Sequence, residues 1–235
     1  VIVKFAAKYR VGLTATPNRP DKLQDAFFKH IGPICYVLRA SRLQAVYSFV
    51  KSGVAYAPST YINSWDKEVN QSKLVTMLAT DIKRNALILR VIERAMRANR
   101  KLILLTDRVV QVGYLFDALG TLAVQTDSTV SKYIGGLTAK ARALAAQSDV
   151  ILATYALAQE GLDIPELDTL ILATPRVHIE QSVGRILRQA EDKAQPVVVD
   201  MTDDNIELLS GFKFARMKVY RRLGMVEAPK VQKKT

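Results

Sequence analysis

Residues 149–174 read DVILATYALAQEGLDIPELDTLILAT. Two short apolar runs, DVILAT and DTLILAT, flank a polar segment that carries Gly161 and Pro165. Neither run alternates apolar with polar residues, so neither suits a strand with one wet face. Strands apolar on both sides belong to a parallel sheet covered by helices above and below. The same composition recurs at KLILLTD (101–107) and PVVVD (196–200). Amphipathic segments separate these runs. After Asp81, residues Ile82, Ala86, Leu89, Ile92 and Met96 share one helical face. RVVQVGYLFDALG (108–120), TAKARALAAQ (138–147) and HIEQSVGRILRQ (178–189) read as further helices. The pattern defines an α/β fold, a parallel sheet with helices on both faces. In such sheets ligands sit beyond the carboxyl ends of the strands, and the unusual residues of this sequence lie there.

The flanks are less regular. RVGLTAT (10–16) predicts a short strand, DKLQDAFFKHIG (21–32) a helix stopped by Gly32-Pro33, and PICYVLRA (33–40) another strand. SRLQAVYSFVKSG (41–53) has a Ser at its start and a Gly at its end, and predicts a helix. VAYAPSTYIN (54–63) is extended, with Pro58 keeping it at an edge, and residues 63–80 carry no clear pattern. NIELLSGFKFARMKVYRRLGM (205–225) predicts a helix burying Leu208, Phe212, Ala215, Val219 and Leu223, and EAPKVQKKT (227–235) a disordered tail.

The bulk composition narrows the class. Of 235 residues 49% are hydrophobic and 24% charged, as in an ordinary globular chain. No apolar run approaches the roughly 18–20 residues of a membrane span, and VIVKFAAKYR at the start has no signal-peptide layout. The single Cys35 cannot form an internal disulfide, and no Cys/His cluster has metal-ligand spacing, so no metal site is expected. That favours a reducing, intracellular setting. The net charge of +12 makes nucleic acid the first partner to consider, against the plainer alternative of a basic surface kept for solubility. Half of that charge, a net +6 from eight Lys/Arg and two Glu, lies from Asn205 onward.

Three stretches carry candidate chemistry. In QSVGRILR (181–188), Arg185 and Arg188 are three apart on a predicted helix and project from nearly the same face, with Gly184 beside them permitting close approach. Two guanidinium forks so placed can clamp phosphate oxygens; a lone Arg-x-x-Arg is more often a solvated helix face. In GLDIP (161–165), Asp163 can accept from a sugar hydroxyl or simply close a turn on its own backbone. In GLTATP (12–17), the hydroxyls of Thr14 and Thr16 lie just past a strand end, where they can relay hydrogen bonds or merely form a turn into Pro17.

The order of these stretches resembles the second half of a superfamily 2 helicase. GLTATPNRPD resembles motif III, LILLTDRVVQ motif IV, ATYALAQEGLDIP motif V and QSVGRILR motif VI, over roughly residues 10–200. The form of motif III and the Gly135-Gly136 pair before motif V are most similar to the branch holding the XPB-type repair and transcription helicases. Phage branch-migration helicases and the poxvirus transcript-release helicase belong to that branch, and a relative in a large cytoplasmic DNA virus, hence a cytoplasmic location, would fit it.

The resemblance implies a second RecA-like motor domain over residues 21–204. Residues 1–20 would then be the end of the first such domain plus a linker, and 205–235 a basic C-terminal helix and tail. It implies that ATP and Mg2+ bind mainly to a first domain missing from this chain, which has no phosphate loop and no Asp-Glu box. Residues 1–235 alone should then be inactive, and the chain reads as a fragment cut just before motif III. By the same matching, Arg185 and Arg188 are arginine fingers reaching the γ-phosphate and Gln181 sits near the phosphates. Gly161 and Asp163 line the ribose side, while Thr14, Ala15 and Thr16 couple the two domains. Thr154, Arg108, Gln111, Gly135 and Gly136 contact the nucleic-acid strand, DNA favoured over RNA. Lys213, Lys218, Arg221 and Arg222 of the C-terminal helix extend that surface by charge. The function implied is an ATP-dependent helicase motor that translocates and unwinds. The alternatives are a double-strand translocase or remodelling subunit that separates no strands, and an ATPase-dead binding scaffold.

Overall fold

The computed structural model of the chain describes residues 8–14, 24–36, 44–63, 66, 68–159, 164–188, 190 and 193–229. They fall into two compact units, Val1–Ser41 and Arg42–Thr235. In the first, helix α1 (Gln24–Ile31) ends at Gly32, whose φ of 119° a side chain would resist. The described parts of the predicted strands at 10–16 and 33–40 carry no strand, and the rest lies outside the described residues.

The second unit is a seven-stranded, wholly parallel sheet. Its strands are β1 (Val46–Lys51), β2 (Leu102–Thr106), β3 (Val130–Tyr133), β4 (Val150–Thr154), β5 (Thr169–Leu172), β6 (Val197–Thr202) and β7 (Val226–Glu227). Across the sheet they run β3-β4-β2-β5-β6-β1-β7. The helices are α2 (Gln71–Thr80), α3 (Ile82–Arg97), α4 (Val109–Thr126), α5 (Ala139–Ala145), α6 (Tyr155–Gln159), α7 (Glu180–Ile186) and α8 (Phe212–Arg222).

The apolar strands are apolar because alternate residues enter opposite cores. Ile103, Leu105, Ile151, Ala153, Leu170 and Leu172 pack with Tyr155, Val183, Ile186 and Tyr220 from α6, α7 and α8. Leu102, Leu104, Val150, Leu152 and Ile171 pack on the other face with Ile88, Ile92, Val112, Leu115 and Leu119 from α3 and α4. Each such side chain, when fully buried, contributes about 1.5–3 kcal/mol of transfer free energy.

Helix starts follow side-chain capping. Asn70 accepts from the Lys73 N–H at 2.8 Å, Asp81 from Arg84 N–H at 2.8 Å and Thr138 from Ala141 N–H at 3.2 Å.

Three sequence expectations are corrected. Residues 41–53 were expected to be helical, yet 46–51 form β1, paired with β6 and β7. The run VYSFVK is rich in β-branched and aromatic residues, and Tyr47 turns into the core beside Tyr220. The unassigned 63–80 contains α2, whose Leu74 and Leu78 join Tyr61, Ile206 and Leu209 in a third cluster. On α3 the inward face is rotated: Ile82 is 74% exposed while Arg84 and Asn85 are buried.

On α8, which starts at Phe212, the predicted apolar row is half-buried, Leu208 and Phe212 against the third cluster and Val219 and Leu223 against the first, while Arg216 and Tyr220 go fully inside. The cause is Asp200, fully buried on β6. Its carboxylate pairs with Arg216 at 3.0 Å and accepts from Tyr220 Oη at 2.7 Å. A buried charge needs such partners, and they set the helix phase. Arg84 likewise donates Nε and Nη2 to Asp203 at 2.8 and 3.1 Å, both side chains buried. The described residues 205–229 supply α8 and β7 to the second unit.

Candidate nucleotide and nucleic-acid interface

At their carboxyl ends, β2, β4 and β5 present Thr106-Asp107-Arg108, Thr154-Tyr155 and Thr174-Pro175-Arg176. The Asp107 N–H donates to Thr174 Oγ1 at 2.9 Å, and that hydroxyl lies 3.1 Å from Asp107 Oδ2. Arg176 Nη1 reaches Asp107 Oδ1 at 3.4 Å, and its guanidinium lies 4.8 Å from the Tyr155 ring centroid. Tyr155 is fully buried, donates to the Thr174 carbonyl at 3.3 Å, and has its phenol pKa pushed up by burial. Thr154, just before it, is half-buried at the tip of β4. Asp107, Thr174 and Arg176 were not singled out in the sequence; the recurrence of Thr-Asp-Arg and Thr-Pro-Arg directly after apolar strands was the available signal.

Arg108 donates to the Thr76 hydroxyl at 2.9 Å and to the Ser72 carbonyl and hydroxyl at 2.8 and 3.0 Å, so α2 holds its guanidinium against α4. Gln111 corrects an expectation. It is fully buried, its Oε1 accepts from Thr106 Oγ1 at 2.5 Å, and its amide donates to Asn85 Oδ1 at 2.8 Å. Asn85 in turn donates to the Ala79 carbonyl at 2.8 Å. With both ends of its amide engaged, Gln111 braces the β2–α4 turn from inside and presents no surface to a strand. Gly135 and Gly136 are exposed, and Gly136 at φ 84° makes the turn into α5.

The arginine helix is α7. Gln181 and Arg185 stand at i and i+4 on its outer side, while Ser182, Val183 and Ile186 are buried on the other. The helix ends at Ile186, so Arg188, expected on the same helical face, lies two residues past it. Gln181 and Arg188 are exposed and Arg185 is half-buried. Partial burial lowers the Arg185 guanidinium pKa, but a guanidinium keeps its charge at any working pH. Arg185 and Ile164 line one water-sized cavity with Ala158, Leu167 and Ser182. The helix carrying Arg185 thus lies against Ile164, in the segment that leads into β5. Gly161 and Asp163 themselves lie outside the described residues, as do Ala15 and Thr16; Thr14 is described, in the first unit.

Lys193, which the sequence did not flag, donates Nζ to the carbonyls of Pro165, Ile186 and Arg188 at 2.7, 2.8 and 2.7 Å. On α8, Lys218 and Arg221 are exposed, whereas Lys213 sits 4.9 Å from the Phe49 ring centroid and Arg222 donates to Glu180 at the start of α7. Among the described residues no group of three His, Cys, Asp or Glu could hold a metal ion, and no helix is long and apolar enough to cross a membrane.

Parallel strands in this order, covered by helices on both faces, define an α/β domain of the second RecA-like type found in helicases. No family model matches the chain. It is 32% identical over 207 residues to the "Putative ATP-dependent RNA helicase L396" of Acanthamoeba polyphaga mimivirus, covering 86% of this chain and 40% of that protein. It is 26% identical over 233 residues to the "Putative helicase 161L" of Invertebrate iridescent virus 6, covering 92% and 50%. The chain therefore spans half or less of the length of these relatives. The crystal structure of T4 UvsW matches in fold with a TM-score of 0.58 at 15% identity, over 80% of this chain and 42% of that one. The chain is thus similar to part of putative helicases of large DNA viruses and shares the fold of a RecA-like helicase domain.

Proposed function

We propose that this chain is the second motor domain of an ATP-dependent DNA helicase of the XPB-like branch, which couples hydrolysis to translocation and strand separation. The observation that carries the reading is Gln181 and Arg185 on α7 with Arg188 just past its end, α7 lying against Ile164, which follows the 161–163 stretch in sequence. A triphosphate ends in clustered negative charge, and two guanidiniums three residues apart, with an amide close by, fit it. Bound ATP with Mg2+ supplies the phosphoryl group that is transferred to water. Arg185 and Arg188 then hold the oxygens on which charge accumulates. Gly161 and Asp163 take the ribose side, and Thr14, Ala15 and Thr16 couple this domain to a first RecA-like domain that supplies the phosphate loop.

Nucleic acid runs over the carboxyl ends of β2, β3 and β4, where Arg108, Gly135, Gly136 and Thr154 are available to its backbone. Lys218 and Arg221 of α8 add charge. The test is strand displacement by the whole protein on DNA, RNA and hybrid duplexes. ATP-dependent displacement of the DNA duplex is expected. Displacement of RNA alone would move the substrate to the class named for the mimivirus relative. ATPase without displacement would make the protein a translocase, and neither activity would leave a binding scaffold.

A further inference from the structure

The search for function beyond these two arginines leads to Lys193. Helix α7 ends at Ile186, so its last carbonyls have no helical amide four residues on. Lys193 returns from seven residues downstream and donates to two of the carbonyls at this end, Ile186 and Arg188. Its third donor goes to Pro165, in the segment that leads into β5. All three hydrogens of one ammonium are thereby spent on two segments separated by about twenty residues of chain. A cation at a helix end would need only the helix; the bond to Pro165 makes it a bridge. Burial lowers its pKa, and the carboxylates of Asp168 and Glu166 offset part of that loss.

We propose that Lys193 is a positioning residue for ATP hydrolysis, fixing the end of α7 to the segment from Ile164 onward, which follows Gly161 and Asp163 in sequence, so that phosphate and ribose contacts move as one unit. The inference rests on the helicase reading above. It assigns Lys193 no contact with nucleotide. Misplacement of a finger by about an ångström can cost on the order of a hundredfold in rate, so a staple at its root acts on turnover rather than on capture.

The experiment uses the whole protein with Lys193→Met, Lys193→Gln and Lys193→Arg. Amide exchange followed by mass spectrometry should quicken together over 164–168 and 185–190 in the Met variant, with the strands β2, β4 and β5 unchanged. Loosening of the α7 end alone would reduce Lys193 to a helix cap and overturn the proposal, whatever the ATPase does. In steady state at saturating nucleic acid, Lys193→Met should lower kcat about tenfold or more and leave KM for ATP within about threefold. Lys193→Arg, which keeps a charged donor, should recover most of kcat. A Met variant within twofold of wild-type kcat, or a folded Arg variant as impaired as Met, would also overturn it. If Lys193→Met does not fold, the neutral Lys193→Gln is judged by the same two measurements. Failure of the underlying reading looks different: the unmodified protein would lack stimulated ATPase, or Arg188→Ala would leave it unchanged.

Discussion

Helices α7 and α8 both carry arginines in short basic stretches, QSVGRILR and ARMKVYRR, and use them in opposite ways. On α7 Gln181 is exposed and Arg185 half-buried, with Arg188 exposed just past the helix end, while Val183 and Ile186 hold the helix to the sheet. On α8 Arg216 faces inward and is 2% exposed, paired with a buried Asp200. Nothing in the local spelling separates the two cases. What separates them is the strand beneath: the apolar side chains of β5 receive Val183 and Ile186, whereas β6 offers a carboxylate that has to be met by a cation. An arginine is a candidate for chemistry when the helix can be anchored without it.

The comparison breaks first on activity. In the whole protein, Arg185→Ala or Arg188→Ala should cut nucleic-acid-stimulated ATPase by at least about two orders of magnitude, with unchanged circular dichroism. Lysine at either position should rescue little, since an ammonium cannot reproduce the planar fork. Near-normal turnover by either variant would return that arginine to an ordinary solvated face.

Stability should show the reverse. Arg84→Ala removes one partner of a bidentate buried pair and strands Asp203, which costs about 3–5 kcal/mol, read as a lower urea midpoint. Arg216→Ala should cost less, about 1–3 kcal/mol. Burial has already pushed Asp200 up from its ordinary 3.8 to about 6, against the opposing pull of Arg216 and the Tyr220 hydrogen bond, so it can escape the loss by taking a proton. Arg188→Ala, by contrast, should leave the midpoint within about 0.5 kcal/mol.

Asp200 sharpens the contrast through pH. Its folded pKa lies above its unfolded one, so between 3.8 and about 6 the folded state binds more protons. Its share of stability is therefore fully present below the lower value and is lost as pH rises through about 6. Urea midpoints measured across that window should fall with rising pH by the part that Asp200→Asn abolishes. A slope identical in both proteins would mean that the Asp200 pKa does not differ between the folded and unfolded states.

The smallest effect concerns the outer face of α8. Changing Lys213, Lys218, Arg221 and Arg222 to Gln should weaken binding on every sequence tested and make the log-log salt dependence shallower. Lys218 and Arg221 should account for about one unit each. Lys213 and Arg222, engaged with Phe49 and Glu180, should contribute less. An unchanged slope would remove α8 from the binding surface.

The sequence by itself determined the sheet. Runs such as LILLT and VILAT can be satisfied only with apolar cover on both faces, so the parallel α/β architecture, and the carboxyl-end location of its site, were legible before any coordinates. The spacing of Gln181 and Arg185 determined their shared helical face for the same reason, since helical periodicity is local, whereas the end of α7 before Arg188 left no such signal. The tertiary structure alone decided which way a polar residue points once a partner lies elsewhere in the chain. VYSFVK became a strand because β6 and β7 flank it. Arg84 and Arg216 turned inward because Asp203 and Asp200 were already buried, and Gln111 went under the β2–α4 turn to meet Thr106 and Asn85. Lys193 found carbonyls on two segments distant in sequence. Each outcome depends on desolvation and on a partner far along the chain, and neither leaves a period in the local sequence.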